Sequence, residues 1–78
     1  MAVSKQEFCI ALARALNEKP RDITEDVALT DVTGWDSVGQ LSVIACIDEL
    51  FGKTVNVDKL RSCETIGDII ALFIEDVQ

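Results

Sequence analysis

Apolar residues recur at helical spacing near the start of the chain. They stand at i, i+3, i+4, i+7 and i+8: Phe8, Ala11, Leu12, Ala15 and Leu16. Such a stripe is typical of a helix that buries one face. Ser4 and Glu7 have the spacing of a capping box, and the segment from Asn17 to Pro20 should end the helix, because proline cannot continue one. We therefore predict a first helix between Ser4 and Pro20.

A second stripe of the same period lies at the end of the chain. Its members are Ile66, Ile69, Ile70, Phe73, Ile74 and Val77. Thr65 and Asp68 again have capping-box spacing, so we predict a last helix that begins after Thr65 and reaches Val77. Glu75 and Asp76 oppose the helix dipole at this end, where we expect the helix to fray.

The middle of the chain predicts a longer helix with two apolar faces. Asp36 is a suitable N-cap and Gly52 a suitable left-handed C′ residue, so the helix should run from Ser37 to Phe51. At about 100° per residue, its apolar positions separate into two groups. We assign one group to the core: Val43, Ile47, Leu50 and Phe51. The other group lies nearly opposite and consists of Val38, Leu41 and Ala45, with Ile44 at the border and Asp48 and Glu49 beside it.

Val38, Leu41 and Ala45, called the apolar stripe below, have no obvious second core to enter in a small bundle. An exposed apolar stripe edged with acids is typical of a protein-binding face. The same pattern also fits a central helix that the long loop packs against on several sides. The periodicity alone leaves both interpretations open.

The remaining segments predict a long loop and a short helix. Residues 21–35 have no sustained period, but they contain apolar residues that should hold the loop against the core: Ile23, Val27, Leu29 and Val32. A turn of helix is predicted near residues 57–61. The predicted fold class is all-α, with one domain over residues 1–78. It is a small four-helix bundle with three long helices, one short helix and a long loop between the first two helices.

Composition removes several classes of function. Of the 78 residues, 49% are hydrophobic and 27% are charged, which predicts a globular chain. The sequence has no histidine, the commonest general base and metal ligand. No apolar run approaches the roughly 18 residues of a membrane span, and the N-terminus shows no export signal. We therefore expect a cytoplasmic protein.

The three cysteines, Cys9, Cys46 and Cys63, predict neither a disulfide framework nor a metal site. Their number is odd, no C-x-x-C pair is present, and no histidine can complete a zinc site. We predict three reduced thiols, of which at least one is buried like a small hydrophobic side chain.

The net charge of −7 is concentrated in one segment. No basic residue lies between Arg21 and Lys53, and this stretch holds seven acids: Asp22, Glu25, Asp26, Asp31, Asp36, Asp48 and Glu49. Nucleic acid and anionic membranes are disfavoured as partners, because phosphate binding needs the opposite charge. A basic protein partner is favoured, while a merely solubilising acidic surface has the same composition.

Ser37 stands at the start of the middle helix, in line with its second face. Ser37, Leu41, Ile44 and Asp48 follow one another at i, i+4, i+7 and i+11. A helix N-terminus favours an anionic group, so a phosphate ester on this hydroxyl would be well tolerated. Catalysis by this serine is disfavoured, because no histidine can act as its base and no Lys or Arg lies near it in sequence. An ordinary serine at a helix start gives the same pattern.

One stretch of the chain resembles the attachment site of acyl carrier proteins. It is Gly34-Trp35-Asp36-Ser37-Val38, followed by a helix that ends in Leu50-Phe51-Gly52. The order of elements also matches, from the first helix through the acidic loop to a last helix opened by Thr65-Ile66. The resemblance covers about residues 4 to 77.

The resemblance implies that Ser37 carries a 4′-phosphopantetheine arm, taken from coenzyme A and attached through a phosphodiester. The thiol of the arm would hold an acyl group as a thioester, so the protein would be a shuttle and not an enzyme. The middle helix would be the docking helix. The implied recognition residues are Trp35, Asp36, Val38, Leu41, Ile44, Ala45, Asp48 and Glu49. Expected partners of this monomeric carrier are a phosphopantetheinyl transferase and acyl-transferring, ligase or synthase enzymes with basic docking surfaces.

Several positions depart from the pattern of fatty acid carriers. Such carriers usually have acids where this chain has Gly39 and Ser42, and many have another at Leu50. Trp35 before Asp36 is more similar to carriers of polyketide and other specialised pathways. Peptidyl carriers usually have histidine before the serine, so Asp36 argues against that group. The resemblance therefore favours a specialised pathway over housekeeping fatty acid synthesis.

Other functions use the same features. An unmodified acidic helical module would bind proteins through the apolar stripe, with Ser37 only a helix residue. A calcium-binding loop is suggested by the odd spacing of three residues: Asp22, Thr24 and Asp26. However, Val27 and Thr33 stand where an EF-hand needs glycine and glutamate. A small enzyme is least favoured, since no acid/base pair can be named.

Overall fold

The computed structural model describes residues 3–73 and residue 77. Its four α-helices are α1 (Lys5–Ala15), α2 (Ser37–Phe51), α3 (Val57–Arg61) and α4 (Ile66–Leu72). α1 packs against α2 and α4, and α2 also contacts α3. The predicted all-α four-helix fold is confirmed. Within the residues described, no helix is both long and apolar enough to cross a membrane.

The N-caps of three helices are those that the sequence predicts: Ser4, Asp36 and Thr65. Each side chain accepts a hydrogen bond from the backbone N–H three positions later, at 3.0, 2.9 and 3.2 Å. At α4 the capping box is complete, because Asp68 accepts bonds from the N–H groups of Glu64 and Thr65 at 2.9 and 3.1 Å. These bonds hold the pKa of the Asp68 carboxyl below its ordinary value of 3.8.

α1 ends through an asparagine and not through the proline. Asn17 has a φ of 58°, in the left-handed region. The N–H of Glu18 donates to the Ala13 carbonyl at 2.8 Å, and that of Asn17 donates to the Arg14 carbonyl at 3.2 Å. This pair of bonds is a Schellman motif, which terminates the helix before Pro20 is reached.

The long loop lies against the core, as predicted. Ile23, Leu29 and Val32 are buried, and Val27 is half-buried. The loop also contains two 3₁₀ turns, at residues 20–22 and 29–31. The apolar pattern did not predict these turns, because an element of three residues is too short to show a period.

Main-chain hydrogen bonds fasten this loop to the start of α4. They join the Leu29 N–H to the Glu64 carbonyl (2.8 Å), the Ile66 N–H to the Val27 carbonyl (3.0 Å), and the Gly67 N–H to the Glu25 carbonyl (2.8 Å). Two of these donors belong to the first turn of α4, where N–H groups have no partner inside the helix. The loop therefore completes the helix start while it is itself held in place.

The core forms where α1, α2 and α4 meet. The ring of Phe8 meets those of Phe51 and Phe73 edge-on, with centroids 5.2 and 6.1 Å apart. Phe51 and Phe73 are stacked, with centroids 5.4 Å apart. Phe8 has no exposed surface, and the same is true of Leu12, Ala13, Val43, Ile47, Leu60, Ile66 and Ile69. All four helices therefore contribute to one apolar cluster.

The last helix is shorter than predicted. α4 ends at Leu72 with Phe73 as its C-cap, whereas the apolar pattern predicted a helix as far as Val77. Val77 is buried, but it pairs with Val3 in a parallel β-bridge. A buried apolar residue in helical register can also lie in a β-bridge, and the pattern does not distinguish the two. The predicted fraying falls on residues 74–76, which lie outside the described residues.

The three cysteines are free and half-buried. The prediction that at least one is buried is wrong, because all three are only partly covered, and Cys9 and Cys63 pack against the apolar cluster from outside. Partial burial raises the pKa of Cys9, Cys46 and Cys63 above the ordinary value of 9.0. Each therefore has a small thiolate fraction at neutral pH.

Candidate functional site

α2 has one buried and one exposed face. The buried face consists of Val43 and Ile47, which have no exposed surface, and of the half-buried Leu50 and Phe51. The apolar stripe faces solvent: Val38 is 71% exposed, Leu41 is 63% exposed, and Ala45 is exposed. The interpretation of α2 as a helix covered on several sides is therefore wrong.

The residues predicted to recognise partners fall into two groups by exposure. Asp36, Val38, Leu41, Ala45, Asp48 and Glu49 are exposed. Trp35 and Ile44 are half-buried and pack against the core. The second group can support the surface from beneath, but only part of each side chain is accessible to a partner.

Asp36 fixes the first turn of α2. Its carboxylate accepts the Gly39 N–H at 2.9 Å, and its carbonyl accepts the Gln40 N–H at 2.8 Å. Ser37 is then the first helical residue, and it is exposed. Because Asp36 provides the cap, the Ser37 hydroxyl is not needed for capping and remains available for other chemistry.

Two glycines allow the turn before Ser37 to pack closely between the end of α1 and the start of α2. A β-carbon on Gly34 would lie 2.8 Å from the carbonyl oxygen of Leu16, the C-cap of α1. A β-carbon on Gly39 would overlap the carbonyl oxygen of Gly34. In the sequence, Gly39 stands out only because fatty acid carriers usually have an acid at this position. No periodic pattern could have revealed these close approaches, because they depend on how the turn packs against Leu16 and the start of α2.

An open groove of about 630 Å³ runs beside the apolar stripe, between α1 and α2. Ala45 belongs to both the groove and the stripe. The apolar residues of its lining are Ile10, Ala11, Ala15, Ala45, Cys46 and Leu50, and its charged lining residues are Glu7, Arg14 and Glu49. The groove widens the apolar surface that α2 offers on this side.

The acidic loop does not assemble a cation site in the part of the chain that is described. The Thr24 hydroxyl donates to the Asp26 carboxylate at 2.7 Å, which lowers the pKa of that carboxyl below 3.8. Residues 20–22 form a 3₁₀ turn. Among the described residues there is no group of three or more metal-ligating side chains.

Comparison with known proteins gives the family. Residues 6–73 match the protein-family model described as "Phosphopantetheine attachment site". The acyl carrier protein of Acidothermus cellulolyticus is 32% identical over 74 residues, covering 90% of this chain and 88% of the relative. Acyl carrier protein MbtL of Mycolicibacterium paratuberculosis is 39% identical over 56 residues, covering 72% and 63%. The meromycolate extension acyl carrier protein of Mycolicibacterium aurum is 25% identical over 75 residues, covering 91% and 77%.

The chain therefore belongs to the acyl carrier protein family. Its cofactor is the phosphopantetheine for which the matched domain is the attachment site. The family, the cofactor and the carrier role that the sequence resemblance implied are confirmed at this level. The printed names of these relatives describe carriers of acyl groups.

Proposed function

We propose that this protein carries acyl groups on a 4′-phosphopantetheine arm attached to Ser37. The observation that supports this choice is that Ser37 is the first residue of α2 and is exposed. Its hydroxyl is not needed to cap the helix, because Asp36 provides the cap. The apolar stripe begins at the next residue. An enzyme that binds the stripe would therefore have the hydroxyl within its reach.

Attachment requires the Ser37 Oγ to attack the phosphorus that carries the pantetheine of coenzyme A. An O–P bond forms, the phosphoanhydride bond breaks, and adenosine 3′,5′-bisphosphate leaves. The hydroxyl proton passes to a base of the transferase, because this chain has no histidine. The residues fit the product, since the dipole and free N–H groups of the α2 N-terminus favour the anionic phosphodiester.

The bound arm supplies a thiol on which an acyl group is held as a thioester. The protein's own thiols are poor competitors for that group. All three are half-buried, and burial raises the pKa of each, so little thiolate is present at neutral pH. The protein then acts as a shuttle and not as an enzyme.

We assign partner docking to the exposed face of α2. Val38 and Leu41 offer large apolar side chains that a partner can cover. Asp36, Asp48 and Glu49 lie exposed around them and give the face a negative rim. This combination suits the basic docking surface of a transferase, a ligase or a synthase. Because we expect a monomer of one domain, no second subunit would cover the exposed face of α2.

We place the protein in a polyketide or other specialised pathway. Gly39 stands where fatty acid carriers usually have an acid, and the Gly34 carbonyl leaves no room for a side chain there. Two of the relatives carry specialised names, MbtL and the meromycolate extension carrier. The intact mass of the protein purified from its host, before and after thioester cleavage, would identify the acyl group. A chain typical of housekeeping fatty acid synthesis would contradict this assignment.

Mass spectrometry after incubation with coenzyme A and a broad-specificity phosphopantetheinyl transferase tests the attachment site. The wild-type protein should gain one phosphopantetheine and Ser37→Ala none. Ser42→Ala is the matched control, because it removes a second hydroxyl of α2 and should gain one group like the wild type. Modification of Ser37→Ala would contradict the assignment. An unmodified wild-type protein would favour the acidic interaction module instead.

A further inference from the structure

Three backbone segments meet directly behind Ser37. The carbonyl oxygen of Leu16 lies 2.8 Å from the position of a β-carbon on Gly34, and the carbonyl oxygen of Gly34 overlaps the position of a β-carbon on Gly39. Real β-carbons essentially never approach another atom within 3.0 Å. The Gly34 carbonyl thus occupies the space in which any other residue at position 39 would place its side chain.

The obstructing atoms are main-chain oxygens, which a change of rotamer cannot move. The Gly34 oxygen accepts the Asp36 N–H at 2.9 Å, and the Asp36 carboxylate accepts the Gly39 N–H at 2.9 Å. The Cα of Gly39 in turn faces the Gly34 oxygen. The contacts among Gly34, Asp36 and Gly39 therefore form a closed set, and Asp36 is the residue directly before Ser37.

We propose that Gly39 and Gly34 are positioning residues for Ser37. Their contact holds the turn of residues 34–36 against the first turn of α2, and so fixes the direction of the Ser37 hydroxyl relative to the apolar stripe. The inference rests on the function proposed above, in which a transferase docks on that stripe. Neither glycine touches the reacting atoms, since both act through the turn and through Asp36.

A side chain at position 39 should impair the chemical step more than docking. Val38 and Leu41 would remain exposed for the transferase to bind, but the nucleophile would be displaced. Displacement of a reacting group by about 1 Å can reduce a rate roughly 100-fold. Such a variant should therefore lower kcat while KM changes little, since the docking contacts are kept.

The test compares Gly39→Ala and Gly34→Ala with Gly52→Ala as the matched control. Gly52 lies at the opposite end of α2 with a φ of 65°, so alanine there is strained, but its β-carbon would meet nothing within 4 Å. Steady-state transfer from coenzyme A by a broad-specificity transferase gives kcat and KM, normalised to the folded fraction. The emission of Trp35, the only tryptophan, reports directly on the turn.

We expect Gly39→Ala to lower kcat at least about tenfold with KM within about threefold, and to shift the native Trp35 emission. Gly34→Ala, whose overlap is milder, should act in the same direction by a smaller factor. Gly52→Ala should keep the wild-type kcat and emission. If Gly39→Ala does not fold, Gly34→Ala carries the test under the same criteria.

A wild-type kcat in folded Gly39→Ala would overturn the proposal. A lowered kcat with unchanged Trp35 emission would do the same, because the turn would not have moved. A change in KM alone would make position 39 part of the docking surface and would also refute a positioning role. Failure of the wild-type protein to be modified would instead refute the proposed function, and Trp35 emission would then decide alone whether the glycine contact fixes the turn.

Discussion

The two faces of α2 are built from the same kinds of side chain and have opposite environments. Val43 and Ile47 have no exposed surface, whereas Val38 and Leu41 are 71% and 63% exposed. Full burial of such a side chain stabilises a protein by roughly 1.5–3 kcal/mol. The exposed pair contributes little of this, so one face of α2 serves folding, and the other is the face that we propose partners bind.

The position of the long loop explains why the second face stays open. The loop approaches α2 at Gly39, which is buried. The loop atom nearest to this position is the carbonyl oxygen of Gly34. From that point the chain turns directly into Asp36 and the helix. At this contact the loop meets a buried position of α2 and not the exposed apolar stripe.

The largest effect should come from the buried face. We expect Ile47→Ala to lower the free energy of unfolding by about 2–5 kcal/mol, because it removes buried methyl groups and leaves a cavity. Ile47→Asp should not fold, since it buries an unpaired charge in a small domain. Urea denaturation followed by circular dichroism measures both. A loss below about 1 kcal/mol for Ile47→Ala would show that the two faces do not differ in the way that their burial indicates.

Leu41→Asp is the matched change on the exposed face. It should alter the free energy of unfolding by no more than about 1 kcal/mol, because the new charge stays in water. Its modification by the transferase should be slower, chiefly through a higher KM, because an apolar docking contact is lost. The same urea denaturation and steady-state kinetics apply. Unfolding of the variant, or wild-type kinetics in the folded variant, would contradict a docking role for Leu41.

Asp48→Lys tests the charge beside the stripe and should have a smaller effect. The variant should fold normally and associate more slowly with a basic partner, because the attraction between opposite charges is reduced. The wild-type rate should fall as salt rises, and the variant's rate should depend less on salt. Asp22→Lys, the same charge change in the 3₁₀ turn of residues 20–22, is the control. Equal effects of both variants would indicate a response to net charge and not to the α2 face.

Cys46 lies on α2 between the two faces and should show the smallest effect. It is half-buried, and burial raises the pKa of its thiol, so alkylation at neutral pH should be slower in the folded than in the unfolded protein. Mass spectrometry over time measures this, and the thiol of an attached arm should react first. Thermal denaturation with and without reductant should coincide, since the three cysteines are free. A native Cys46 that reacts as fast as the unfolded one would place it on the open face.

The sequence by itself determined the features that depend on a few neighbouring residues. The helix starts at Ser4, Asp36 and Thr65 follow from the contact of one side chain with an N–H three positions later. The left-handed end of α2 at Gly52 is equally local. The assignment of apolar residues to the faces of α2 needed only the helical period, and the resemblance to acyl carrier proteins needed only the residues around Ser37 and the order of the predicted elements.

Only the tertiary structure decided which apolar positions are covered and which are not. Val38 and Val43 are the same type of residue on the same helix, and their difference in burial depends on where the loop and the other helices lie. Val77 kept its predicted burial but reached it through a bridge to Val3 and not through a helix. The contact of Gly34 with Gly39 and Leu16 joins segments that no local pattern relates. Such contacts form when distant parts of the chain pack, so they carry no period from which they could be predicted.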